Sequence, residues 1–152
     1  MSEIRTQYLF EVTIDVAPPL LVGETPSGDR RIVQITGGHF EGPRLSGTVL
    51  PGGSDWILGR PDGVLALDVR ATLQTRDGAL INMIYRGLRH GPAEVIERLN
   101  RGEAVDPSKY YFRTAPFFET SAPAYAWLNK IVAIATGRRL PTGPVYQVYE
   151  VL

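Results

Sequence analysis

The chain has 152 residues, enough for one domain with a sizeable core. Sixteen basic residues balance sixteen acidic ones, which argues against an electrostatic binder of nucleic acid or of anionic membranes. With no cysteine, disulfides, thiolate metal sites and a cysteine nucleophile are excluded, and a reducing cytoplasm is the expected compartment.

The first residues, MSEIRTQYLFEV, lack the basic start and apolar run of a signal peptide. No apolar stretch approaches the roughly 20 residues needed to span a bilayer. Residues 7–16, QYLFEVTIDV, alternate. Tyr8, Phe10, Val12, Ile14 and Val16 share one face and Glu11, Thr13 and Asp15 the other, which predicts a strand buried on one side. APPLLVGETPSGDRR reads as a connection, broken by Pro18, Pro19, Pro26 and Gly28. A second strand over 30–40 runs into Gly37-Gly38, where a bulge or a close backbone approach is expected. A third strand lies around 45–50 and is followed by a glycine-rich turn.

Residues 63–76, GVLALDVRATLQTR, give the longest strand. Leu65, Leu67, Val69, Ala71 and Leu73 face one way; Asp68 and Arg70 face the other. Asp77-Gly78 then predicts a hairpin into ALINMIYRG. GPAEVIERLNRGEAVDPSKY holds the one convincing helix, with Pro92 near its start, helical spacing of Val95, Ile96 and Leu99, and Gly102 as its stop. YYFRTAPFFET predicts a strand bent at Pro116. AYAWLNKIVAIATG predicts a mostly apolar strand, and VYQVYEVL a closing one. The sum is a mainly β single domain over 1–152, with about eight strands and one short helix, arranged as a barrel or a sandwich.

From Gly37 onward the ordered motifs GGHFEGPRLSGTVLPGGSDWILGRPDGVLALDVRATLQTRDGALI and YRGLRHG resemble the bacterial and fungal family known as domain of unknown function 3237. YYFRTAPFFET, YAWLNKIVAIATG and VYQVYEV fit the same pattern, so the likeness spans nearly the whole chain. The resemblance implies a small antiparallel β-barrel of the allene-oxide-cyclase-like or calycin-like kind, and implies no general activity. In the strand before Arg86 the family is usually more polar, whereas here the run is Asn82-Met83-Ile84-Tyr85-Arg86. If that strand lines a cavity, Tyr85 and Arg86 are its ligand contacts.

The candidate site residues each have a structural counterpart reading. Asp68 and Arg70, with Cα atoms about 7 Å apart, are either part of a polar pocket or an ion pair on a solvated face. Asp55 and Trp56, after a PGGS turn, suit a barrel mouth as carboxylate base and aromatic wall, or else bond turn amides and seal one end. Arg60-Pro61-Asp62-Gly63 reads as a turn. The Arg86–His90 stretch is either an anion clamp, a solvated exit loop or a subunit contact. Tyr111 and Arg113 on one strand face, with Glu119 beyond Pro116, make either an acid–base pocket or an ion pair closing the sheet. Trp127 and Asn129 are expected to alternate on the next strand, Asn129 finding polar partners if buried. His39, Glu41 and His90 lack metal-ligand spacing, and no phosphate-binding, dinucleotide or nucleophile-elbow motif occurs, so neither metal nor cofactor is expected.

These readings combine into a barrel with a polar-rimmed pocket for a small organic ligand. Asp55, Asp68 and Arg70 are its expected catalytic residues, and any reaction is a cofactor-free isomerisation, cyclisation or hydration. The rival is a non-catalytic oligomer whose strand charges are structural. Homodimer or higher assembly is expected in either case, and no nucleic-acid or membrane partner.

Overall fold

The structure is a computed structural model, and the description covers residues 2–152. Ten strands account for most of it: β1 Thr6–Val16, β2 Leu20–Thr25, β3 Gly28–Glu41, β4 Ser46–Val49, β5 Ser54–Gly59, β6 Leu65–Thr75, β7 Leu80–His90, β8 Tyr111–Glu119, β9 Ala133–Leu140 and β10 Gly143–Val151. They close an antiparallel barrel. Around the ring run β1, β10, β9, β8, β7 and β6, and β3 returns to β1. The gap between β6 and β3 is filled by two short strands, β4 toward one end and β5 toward the other. β2 pairs with the first half of β3 only, as an outer flap.

The expectation of about eight strands therefore matches eight positions in the ring, which nine strands fill because β4 and β5 share one; β2 is the tenth and lies outside it. β2 lies inside what reads as a connection, because both its faces are open: Leu20, Leu21 and Val22 are all exposed. A strand that buries neither face leaves no alternation to read.

Alternation does place the core. Leu65, Leu67, Val69, Ala71, Leu73 and Thr75 of β6 are all buried, as are Phe112, Thr114, Pro116 and Phe118 of β8. In β1 the register shifts between Tyr8 and Phe10. Tyr8 is consequently exposed and packs edge-on against Tyr149, while Leu9 is buried beside Phe10, a departure from simple alternation. Near Gly37-Gly38 the β1–β3 register shifts just before the pair, where Val16 meets Ile35. Gly38 itself is required by close approach: at φ 139°, an added Cβ would lie 2.1 Å from the Thr13 carbonyl oxygen.

The two ends of the barrel differ. At the lower end, where β3 and β8 finish, Phe10 packs on Phe40 and Phe118 at centroid distances of 5.5 and 5.9 Å. Leu73, Ile81 and Met83 complete a solid plug. Below it, Pro123–Lys130 is a 3₁₀ segment rather than the start of a strand. Pro123 presets a helical φ, the Tyr125 N–H donates to the Ala122 carbonyl, and Leu128 is buried. Trp127 and Asn129 therefore do not alternate on a strand. Trp127 lies under the Arg44 guanidinium at 3.5 Å, and the Asn129 side chain bonds both the N–H and the carbonyl of Thr120.

At the upper end β7 leads into the helix α1, Ala93–Asn100. Pro92 supplies the carbonyl for its first turn and Gly102, at φ 78°, ends it. Val95 and Leu99 are buried against the barrel. Among the described residues, no helix is long and apolar enough to cross a membrane.

Candidate functional site

The upper half of the lumen is hollow. A cavity of about 370 Å³ opens beside the end of α1 and the β1–β2 connection. Its wall is apolar over Ile14, Val16, Ile35, Ile57, Leu67 and Val69, and Phe112 lies at its side. Into this wall project the carboxyl of Asp55, the phenols of Tyr85 and Tyr146 and the guanidinia of Arg89 and Arg139, with Arg31 at the rim held by Asp29 at 3.1 Å. A mostly apolar concavity with a few converging polar groups is the usual form of a small-molecule site.

Strand register explains why these side chains converge. Val69 points inward and stands between Asp55 of β5 and Tyr85 of β7 in one row across three strands. Directly opposed residues share a face, so Asp55 and Tyr85 point inward as well. Four residues beyond Tyr85, Arg89 keeps the same parity. On β9 the inward positions run Ala133, Ala135, Gly137 and Arg139; on β10 Tyr146 and Val148 follow the same rule. Gly137 is needed there because a Cβ would sit 2.7 Å from the Phe112 ring. The Tyr110 hydroxyl accepts from the Arg139 backbone N–H at 2.9 Å and anchors that strand end.

The same parity sends other candidates outward. Asp68 and Arg70 flank Val69 in sequence, so both lie exposed on the outer wall, away from the cavity. Arg86 is outward next to inward Tyr85. Tyr111 stacks on His90 at 4.9 Å, and Arg113 lies beside the Tyr111 ring while donating to the Phe112 carbonyl. Trp56 is 51% exposed, its Nε1 donating to Ser54. Glu119 and Asn129 are exposed at the plugged end. Of the residues singled out by sequence, the cavity gathers Asp55, Tyr85 and, from the Arg86–His90 stretch, Arg89, which shares the face of Ile81, Met83 and Tyr85. It adds Arg139 and Tyr146, whose signal was parity on their own strands. Arg60–Gly63 forms the expected turn, with the Gly63 N–H on the Arg60 carbonyl. Among the described residues, no group of three or more His, Cys, Asp or Glu side chains could hold a metal ion.

Burial dominates the electrostatics. It raises the Asp55 carboxyl from 3.8 to about 7, against the Asp68 backbone N–H that donates to Oδ1 at 3.2 Å and the attraction of Arg89 and Arg139. Among the described residues no ion pair joins Asp55 to either arginine. Burial also holds the Tyr85 and Tyr146 phenols above their ordinary range, their rings packed edge-on at 5.1 Å. Both guanidinia are pulled below their usual values, first by burial and, for Arg89, by repulsion from Arg139. They stay cationic, since arginine does not deprotonate in proteins. The arrangement thus holds a carboxyl able to give or take a proton near neutrality, two neutral phenol donors and two cations facing an apolar wall.

A family model described as "Protein of unknown function (DUF3237)" matches residues 4–151. A UPF0311 protein of Rhodopseudomonas palustris is 38% identical over 149 residues, 98% of this chain and 97% of that protein. A crystal structure from the same organism superposes with a TM-score of 0.94 at 37% identity, covering 100% and 99% of the two chains. A "beta-barrel like protein" of Acinetobacter baumannii gives a TM-score of 0.87 at 40% identity, with 100% and 98% covered. More distantly, the hydroalkoxylation enzyme phnH of Penicillium herquei is 26% identical over 130 residues, 86% of this chain and 72% of that one.

Proposed function

The chain belongs to the DUF3237 family, and within it we propose that this protein binds a small organic acid or carbonyl compound in the barrel cavity and carries out cofactor-free acid–base chemistry on it, of the isomerase, cyclase or hydratase type. The carrying observation is Asp55, a carboxyl titrating at about 7 and facing the same cavity as two phenols and two guanidinia. Ionised Asp55 removes a proton from a substrate C–H next to a carbonyl, or from an O–H. The electron pair moves onto the carbonyl oxygen, or the freed oxygen adds to a conjugated carbon–carbon double bond. In either case negative charge collects on an oxygen that the cationic and phenolic donors stabilise. Protonated Asp55 then returns the proton to carbon, so the protein ends as it began.

The distant relative supports this reading by its reaction class. Hydroalkoxylation adds an alcohol O–H across a double bond and needs that same removal and return of a proton. The test follows exchange of the C3 protons of phenylpyruvate in D₂O by proton NMR. Wild-type protein is expected to accelerate exchange above buffer, and Asp55→Asn to bring it back to the buffer rate. Exchange at the wild-type rate in Asp55→Asn, or none above buffer in the wild type, overturns the proposal.

A further inference from the structure

Arg89 is 9% exposed and its Nε is buried with no hydrogen-bond partner among the described residues; the Nη1 of Arg139 is in the same condition. The two residues come from β7 and β9, on either side of β8, and both face the cavity. The Arg89 guanidinium lies 5.7 Å from the Phe112 ring, a partial compensation at best. Asp55 is the one carboxylate in the cavity wall apart from the rim pair Asp29–Arg31, and it forms no ion pair with either arginine. An unpaired cation taken out of water is costly, and two close together repel as well. Elsewhere in the chain the exposed arginines 60, 98 and 101 find carboxylates. Arg89 and Arg139 are instead drawn into the lumen, out of water, with no carboxylate among the described residues paired to either.

We propose that Arg89 and Arg139 form a clamp for a carboxylate, so that the substrate class is an unsaturated or aromatic organic acid whose body lies on the apolar wall. This deepens the reading of the cavity as a substrate site and rests on it. Guanidinium donors match carboxylate oxygens in pairs, and the unused Nε and Nη1 are donors of that kind. With its acid group held by the arginines, the ligand presents its adjoining carbons to Asp55, while Tyr85 and Tyr146, whose hydroxyls interact with one another, line the same cavity. The single acid in the wall, Asp55, is spared from opposing the ligand when protonated, whereas a dicarboxylate would place a second charge against Ile57, Leu67 and Val69.

The test is calorimetric titration with cinnamate and its neutral isostere cinnamamide. Cinnamate is expected to bind at least about tenfold tighter, and Arg89→Gln and Arg139→Gln each to remove at least about tenfold of that preference. Asp55→Asn is expected to keep cinnamate binding. Equal affinity for acid and amide, no cinnamate binding at millimolar concentration, or an unchanged preference in a folded arginine variant overturns the clamp. If one arginine variant fails to fold, the other and the acid–amide comparison still decide. Carboxylate binding with proton exchange unaltered in Asp55→Asn would leave the clamp standing and remove the acid–base reading. Exchange that needs Asp55 but is indifferent to both arginines would do the reverse.

Discussion

Replacing Asp55 by asparagine separates the charge of this residue from its shape. The Asp68 N–H donates to Oδ1 at 3.2 Å, and an asparagine oxygen can accept it equally. What the change removes is ionisation inside an apolar wall. The carboxyl titrates at about 7 in the fold against 3.8 when unperturbed, so the folded state prefers the protonated form. The sign follows: stability from this group is fully present below about pH 4 and is lost as pH rises to about 7. Complete linkage over that interval amounts to about 4 kcal/mol, and because Asp55 is partly open to solvent the expected effect is about 2 kcal/mol. Urea midpoints measured across pH should give wild type and Asp55→Asn nearly equal stability at acid pH, with the variant more stable by about 2 kcal/mol at alkaline pH. Parallel profiles would show that burial does not control this carboxyl. A wild type more stable at high pH would show that Arg89 and Arg139 hold the ionised form, and would refute the reasoning.

Two further outcomes follow from the barrel's geometry. The double change Asp68→Asn and Arg70→Ala lies on the outer wall, so stability should move by no more than about 0.5 kcal/mol and cinnamate affinity not at all; a loss of binding in titration would place this pair at the ligand. Gly38→Ala puts a Cβ 2.1 Å from the Thr13 carbonyl at a positive φ, so β1 and β3 must separate, with an expected cost above about 2 kcal/mol in urea unfolding.

Much of the barrel is legible in the chain because half-buried strands carry a period of two. Leu65 to Leu73, Phe112 to Phe118 and Phe10 to Ile14 announce which residues turn inward, and Asp77-Gly78 announces its hairpin. β2 and β5 escape that reading, the first with both faces open and the second with no alternation of buried and exposed positions along Ser54–Gly59. The segment around Trp127 reads as a strand because it is apolar, yet Pro123 begins a 3₁₀ turn there.

The site was legible only in part. Local alternation by itself separates Asp68 from Val69 and Arg86 from Tyr85, and it puts Arg89 on the face of Tyr85. It says which residues share a face, without saying which face encloses a cavity. That choice belongs to closure of the sheet: β5 slots between β3 and β6, setting Asp55 level with Val69, and β9 and β10 bring Arg139 and Tyr146 across the lumen from more than eighty residues away in the chain. Closure also decides the protonation of Asp55. A carboxyl in a turn sequence is ordinary, and it becomes a group titrating near neutrality only when distant strands take the water from around it.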